Sequence, residues 1–178
     1  MRHHFGKILS GLLLLLLLAA PAGAASNEYR LGTGDRVRVI VFGDDQLSGE
    51  FQVGAAGTIA MPLIGEVEAR GHTTGELEGL VAERLKQDYL KNPKVSVEVV
   101  DYRPFYILGE VKNPGSYPYV NGMRVVNAIA LAGGFTYRAR ESRMTIKRDV
   151  DGQLKEMDAD QSTMVMPGDV IEVPERFF

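Results

Sequence analysis

The sequence predicts an α+β fold: two small sheet-plus-helix domains in tandem, residues 25–103 and 104–178, behind a leader of residues 1–24. Three observations lead there. Short runs of alternating apolar residues, bounded by Gly, Pro, Asn and Asp, recur along the chain and mark strands. Two segments, one in each half, switch to helical spacing. Gly-Asp ahead of alternating apolar residues occurs twice: Gly34-Asp35 before Val37 and Val39, and Gly168-Asp169 before Ile171 and Val173. Gly-Asp is a common turn-to-strand word, but the repeat also fits two related modules in series. A second echo pairs Ile64-Gly65-Glu66-Val67 with Leu108-Gly109-Glu110-Val111.

The first 24 residues read as a secretory signal peptide. Arg2 and Lys7 make a basic start, an apolar run follows from Ile8 to Ala20, and Ala22-Gly23-Ala24 gives small residues for cleavage. The run is shorter than the roughly 20 residues a membrane-spanning helix needs. An uncleaved N-terminal anchor is the alternative. Cleavage after Ala24 leaves His72 as the remaining histidine and makes the chain more acidic. The expectation is therefore an exported, soluble chain.

In the first domain, Arg36 to Phe42 reads as a strand with Val37, Val39 and Val41 on one face. Phe51 to Val67 is cut by Gly54, Gly57 and Pro62 into short strands and turns. Thr74 is the expected N-cap of a helix whose inner face carries Leu77, Val81, Leu85 and Tyr89, with Leu80 beside them. Glu78, Glu83, Lys86 and Gln87 form its solvated face, and Asn92-Pro93 ends it. A strand from Lys94 to Val100 turns Val95, Val97 and Val99 inward.

Arg103-Pro104 is the expected boundary. Beyond it come strands at Phe105 to Leu108 and Ser116 to Tyr119, separated by the Asn113-Pro114-Gly115 turn. A short helix from Arg124 to Ala132 stops at Gly133-Gly134. Asp151-Gly152 between Met144–Arg148 and Leu154–Met157 predicts a hairpin, and Val170 to Val173 is the last strand.

Composition narrows the chemistry. The 178 residues hold no cysteine and three histidines, with a formal net charge of −3. Absent cysteine removes disulfides, thiolate metal sites, cysteine nucleophiles and a lipid-modified cysteine. No histidine cluster suits zinc and no acidic loop suits calcium. A triad would need His72, which stands in a turn ahead of a helix. No catalytic, cofactor-binding or metal residue is assigned. An acidic exported chain also argues against nucleic acid as a partner. The candidate contacts, with sugars, an anionic polymer or other subunits, are Tyr102, Arg103, Tyr106, Tyr117, Tyr119, Arg138 and Arg140. Tyrosines offer flat, hydrogen-bonding faces for sugars, although tyrosine on a half-buried strand is mainly packing. Arg138, Arg140, Arg143, Lys147 and Arg148 form a basic run, read either as a solvated strand edge or as a contact for an anionic polymer or acidic subunit.

These residues also carry a family resemblance. Tyr29-Arg30-Leu31-Gly32-Thr33-Gly34-Asp35, followed by Val37-Arg38-Val39, resembles the opening of the polysaccharide export domain of Wza-type export proteins. Gly57-Thr58-Ile59, Pro62-Leu63-Ile64-Gly65, Gly71 to Thr74 and Asn92-Pro93 continue the pattern. From Phe105 the chain resembles a soluble-ligand-binding β-grasp (SLBB) domain, through Gly109-Glu110-Val111, Pro114-Gly115-Ser116-Tyr117, Asn127-Ala128-Ile129, Ala132-Gly133-Gly134 and Pro167-Gly168-Asp169.

The resemblance implies a non-enzymatic periplasmic component of a capsule or exopolysaccharide export complex, with the second domain β-grasp-like. It implies four partners: polysaccharide, further copies of the chain in a ring, an inner-membrane polysaccharide co-polymerase and a separate outer-membrane barrel protein. Larger members carry a lipidated cysteine and a C-terminal amphipathic helix. Here, with no cysteine and no helix-length segment before Phe178, no lipid anchor and no pore helix are expected. The alternatives are a monomeric periplasmic carbohydrate-binding or sensing module and a polysaccharide-modifying enzyme with an unrecognised carboxylate pair.

Overall fold

The computed structural model describes residues 29–150 and 152–176; the expected signal peptide and Asp151 lie outside the described residues. Two hydrophobic cores form. One runs from Leu31 to Val97, the other from Phe105 to Val173. Among the described residues, no helix is long and apolar enough to cross a membrane.

The first core is built from β1 (Arg36–Val41), β2 (Gly49–Gln52), the hairpin of β3 (Thr58–Met61) and β4 (Gly65–Glu68), α1 (Thr74–Asp88) and β5 (Val95–Asp101). The main sheet has the order β2-β1-β5, antiparallel throughout. Alternation buries Val37, Val39 and Val41 and turns Arg36, Arg38 and Ile40 outward. On that outer face Arg38 lies between Glu50 and Glu98, 2.7 Å from each. Such exposed pairs add little stability, but they cover the outer face of this sheet with charge.

Helix α1 packs Leu77, Val81 and Leu85 into the core. Its N-cap is Thr73, one residue before the expected Thr74. Thr73 Oγ1 accepts the Glu76 N–H (3.2 Å), and the Glu76 carboxylate accepts the Thr73 N–H (2.8 Å). Thr73 has a glutamate three positions on and Thr74 does not, so the reciprocal capping box decides the start. That N–H holds the Glu76 carboxylate below its ordinary range, with the nearby Arg30 and His72 adding to the effect. Thr73→Ala is expected to cost about 1 kcal/mol, read as a shift in the urea midpoint at unchanged slope.

Three other expectations for this helix need correction. It ends at Asp88, ahead of Asn92-Pro93, because the Tyr89 and Leu90 N–H groups both close on the Leu85 carbonyl. Tyr89, past the last turn, is exposed and donates its hydroxyl to the Leu63 carbonyl (3.0 Å). Glu78 is not a freely solvated residue: its carboxylate accepts the Val97 N–H (2.8 Å) at the outer edge of β5. That edge donor is therefore closed by a side chain, which guards against stray strand pairing.

The second unit holds β6 (Phe105–Gly109), β7 (Gly115–Tyr117), α2 (Val125–Leu131), β8 (Met144–Val150), β9 (Gln153–Ala159) and β10 (Val170–Val173). Its sheet runs β7-β6-β10-β8-β9, with β6 and β10 parallel at the centre and the other pairs antiparallel. Numbered within the unit this is the order 2-1-5-3-4, the β-grasp arrangement. Phe105, Ile107, Met144, Ile146, Ile171 and Val173 face inward against Val125, Ala128 and Ile129 of α2. The side chain of Asn127 accepts the Arg124 N–H (2.9 Å) at the first turn of α2.

Candidate functional site at the joint between the units

Asp35 and Asp169 are both 0% exposed, and each sits in the same local structure. In the first turn, the Asp35 N–H donates to the Gly32 carbonyl (3.1 Å) and the carboxylate accepts the Gly32 N–H (2.6 Å). In the second, the Asp169 N–H donates to the Met166 carbonyl (3.1 Å) and the carboxylate accepts the Met166 N–H (2.7 Å). Each aspartate is followed directly by a core strand, β1 or β10. The Gly-Asp echo in the sequence is thus a repeated structural device. The Gly-Glu-Val echo is not, since Gly65 opens β4 while Gly109 closes β6.

Each buried carboxylate is neutralised by one guanidinium. Arg148 grips Asp169 with two bonds, Nε to Oδ1 (2.8 Å) and Nη2 to Oδ2 (2.7 Å), the planar fork that arginine offers a carboxylate. Asp35 accepts from the Arg103 N–H (2.8 Å), from Arg103 Nη1 (3.0 Å) and from the Tyr29 hydroxyl (2.5 Å). Among the described residues, no buried side-chain nitrogen or oxygen lacks a partner. Every oxygen of both aspartates accepts at least one hydrogen bond from the surrounding fold.

Arg103 also joins the units. Its guanidinium lies where a Cβ on Gly32 would stand, 2.0 Å from Nη1, and its Nε would be 2.7 Å from a Cβ on Gly168. Both turns thus use a glycine to let the same arginine pass between them. The Gly168 N–H donates to the Pro104 carbonyl (3.1 Å), closing the joint.

A strip of tyrosines runs beside it. Tyr29 and Tyr102 meet edge-to-face with centroids 5.0 Å apart, and Tyr102 and Tyr119 do the same at 5.2 Å. Arg103 lies 5.8 Å from the Tyr29 centroid. Burial, reinforced by the bond to Asp35, pushes the Tyr29 phenol far above its ordinary pKa of 10.0; burial also raises Tyr102. For a group raised on folding, the stability it contributes is complete below the unfolded pKa and is lost as pH climbs toward the folded value. Above pH 10 the urea midpoint is therefore expected to fall, and to fall less steeply in Tyr29→Phe. Equal slopes in the two proteins would contradict this coupling.

The other candidate contacts are scattered. Tyr106 is exposed on the outer face of β6. Tyr117 packs against Phe105 at 6.0 Å and donates its hydroxyl to the Asn113 carbonyl. Arg138 is paired with Glu175, and Arg140 is exposed. The basic run is neither one patch nor a strand edge. Lys147 and Arg148 belong to β8, an interior strand, while Arg138, Arg140 and Arg143 lie in the segment before it. Four of the five meet carboxylates: Arg138 with Glu175, Arg143 with Asp158 (3.2 Å), Lys147 with Glu172 (3.1 Å) and Arg148 with Asp169. Tyr29, Asp35 and Asp169 were not among the expected site residues, although the repeated Gly-Asp pointed to the last two. His72 lies beside Glu76 (3.5 Å), and the described residues hold no cluster of three metal-ligating side chains.

These features define a tandem α+β protein whose buried carboxylates hold its architecture. Residues 23–100 match the family model described as polysaccharide biosynthesis/export protein, and residues 104–158 match that of the SLBB domain. The chain belongs to the Wza-type family of polysaccharide export proteins. The structure carries its second unit beyond the matched residues, since the central strand β10 lies at Val170–Val173.

Three relatives illustrate the kinship. The exopolysaccharide production protein ExoF of Rhizobium meliloti is 36% identical over 137 residues, covering 68% of this chain and 32% of that protein. The polysialic acid transport protein KpsD of Escherichia coli is 32% identical over 121 residues, covering 65% and 22%. The EPS I polysaccharide export outer membrane protein EpsA of Ralstonia solanacearum is 26% identical over 187 residues, covering 86% and 49%. The chain thus spans between about a fifth and a half of these proteins.

Proposed function

We propose that this chain is a non-enzymatic periplasmic component of a capsule or exopolysaccharide export complex, with several copies arranged around the path of the polymer. The observation that carries the reading is the succession, in one chain, of an export domain and an SLBB domain. The partners in this reading are the polysaccharide, further copies of the chain, an inner-membrane co-polymerase and an outer-membrane barrel protein.

The Tyr102–Tyr119 part of the aromatic strip is the proposed place for sugar rings to stack, since both tyrosines are only half-buried. Arg140, exposed and without an ion pair among the described residues, is the proposed contact for an anionic group. Deleting the chain is expected to abolish surface polysaccharide while its synthesis continues inside the cell. Normal surface polymer in the deletion strain would overturn the reading.

A further inference from the structure

An asparagine side chain is open to attack by the backbone nitrogen that follows it, and a glycine leaves that nitrogen unshielded because it has no Cβ. The chain holds five asparagines, and Asn121-Gly122 is its one Asn-Gly pair. The other four are poorly placed for the reaction. Asn92 and Asn113 precede Pro93 and Pro114, which have no N–H. Asn27 precedes Glu28, whose side chain crowds the nitrogen. Asn127 lies in α2, where its side chain accepts the Arg124 N–H (2.9 Å) and the Arg124 carbonyl holds the Ala128 N–H (3.1 Å).

Asn121 and Gly122 are both exposed, in the turn between β7 and α2 that the Met123 N–H closes on the Val120 carbonyl (3.2 Å). Among the described residues, nothing accepts the Gly122 N–H and nothing bonds to the Asn121 amide. Nucleophile and target are thus adjacent, solvated and unengaged. The same turn walls an open cleft of about 580 Å³, lined by Val120, Met123, Ala130 and Leu131 with Asn121 and Asn127 as its polar side chains. None of the residues lining that cleft is charged.

We propose that Asn121 is a site of spontaneous deamidation, which slowly turns the uncharged cleft beside α2 into an anionic one. The Gly122 nitrogen attacks the Asn121 side-chain carbonyl carbon and gives up its proton to solvent. The C–N bond of the side-chain amide breaks, its nitrogen takes up a proton and leaves as ammonia, and a succinimide ring closes between the two residues. Water then adds to either ring carbonyl and opens the ring. One product is aspartate at 121, a carboxylate at the cleft wall. In the other, an isoaspartyl link, the main chain runs through the former side chain and gains a carbon atom just ahead of the buried Met123 and Val125.

Ageing the full chain in buffer tests this. Isoelectric focusing should show a more acidic species growing over days to weeks, and peptide mapping by mass spectrometry should place the change from amide to acid at Asn121. Helix α2 must open locally before the Ala128 nitrogen is free, so Asn121 should convert about tenfold or more faster than Asn127. Because the attacking nitrogen sheds a proton, conversion should accelerate as pH rises. Asn121→Gln, whose longer side chain would have to close a larger ring, should lose the acidic species. Asn121→Asp should focus with the aged wild-type band from the start. Both substitutions fall at an exposed position, and far-UV circular dichroism matching wild type checks that both variants are folded. In urea, Asn127 should gain on Asn121 as α2 unfolds. An Asn121 that keeps its amide until the chain is unfolded, equal conversion at Asn121 and Asn127 in the folded chain, or an undiminished acidic species in Asn121→Gln would each overturn the proposal.

Discussion

Asp35→Ala is expected to lower stability by roughly 3–5 kcal/mol, the cost of removing one partner from a buried ion pair. The substitution strands the Gly32 and Arg103 N–H groups, the Tyr29 hydroxyl and the Arg103 guanidinium at once. Asp35→Asn keeps the shape but turns a donor toward donors, so it should recover little. Against a total stability of about 5–15 kcal/mol, either loss removes a large share of what holds the first unit folded. Asp169→Ala should cost a similar amount in the second unit by freeing Arg148 and the Met166 N–H. The two variants differ in reach. Loss of Asp35 also releases Arg103 from the joint, so hydrogen exchange should accelerate on both sides of it; loss of Asp169 should act mainly on β10 and its neighbours. Urea midpoints within about 0.5 kcal/mol of wild type for both would contradict the structural role assigned to these carboxylates.

Gly109→Ala is expected to be of comparable severity for a different reason. Gly109 has φ +85° and closes β6 directly opposite Val173 of β10. A Cβ there would stand 2.1 Å from the Val173 carbonyl oxygen, which already accepts the Glu110 N–H (2.9 Å). A left-handed backbone costs a side-chain-bearing residue about 1–2 kcal/mol, and overpacking a close contact adds about 1–3 kcal/mol. A fall in Tm of roughly 10 °C is expected on that basis. Gly115→Ala supplies the control: nothing lies within 4 Å of its Cβ position, and it should stay near wild type. If the two alanine variants melted together, the close approach of β6 and β10 would not matter to the fold.

The local elements were well marked in the sequence because their signals are local. Val37, Val39 and Val41 alternate, and the last strand begins and ends at Val170 and Val173 as expected. The start of α1 lies one residue before Thr74 because two adjacent threonines can both cap, and the glutamate three residues after Thr73 decides between them. The site was less legible. Asp35 and Arg103 are 68 residues apart, and Asp169 and Arg148 are 21 apart, so periodicity says nothing of their pairing. The basic run misled because neighbours in sequence diverge in space: successive residues of a strand point to opposite faces. Lys147 accordingly reaches Glu172 while Arg148 reaches Asp169.

Tyr102, Arg103 and Pro104 are the residues between β5 and β6, and each is held. Tyr102 lies between two aromatic rings, Arg103 is bound through its backbone and side chain to Asp35, and the Pro104 carbonyl accepts the Gly168 N–H. In mechanical terms the connection is a strut without a hinge. A displacement imposed on the first unit is expected to pull directly on the second through these contacts.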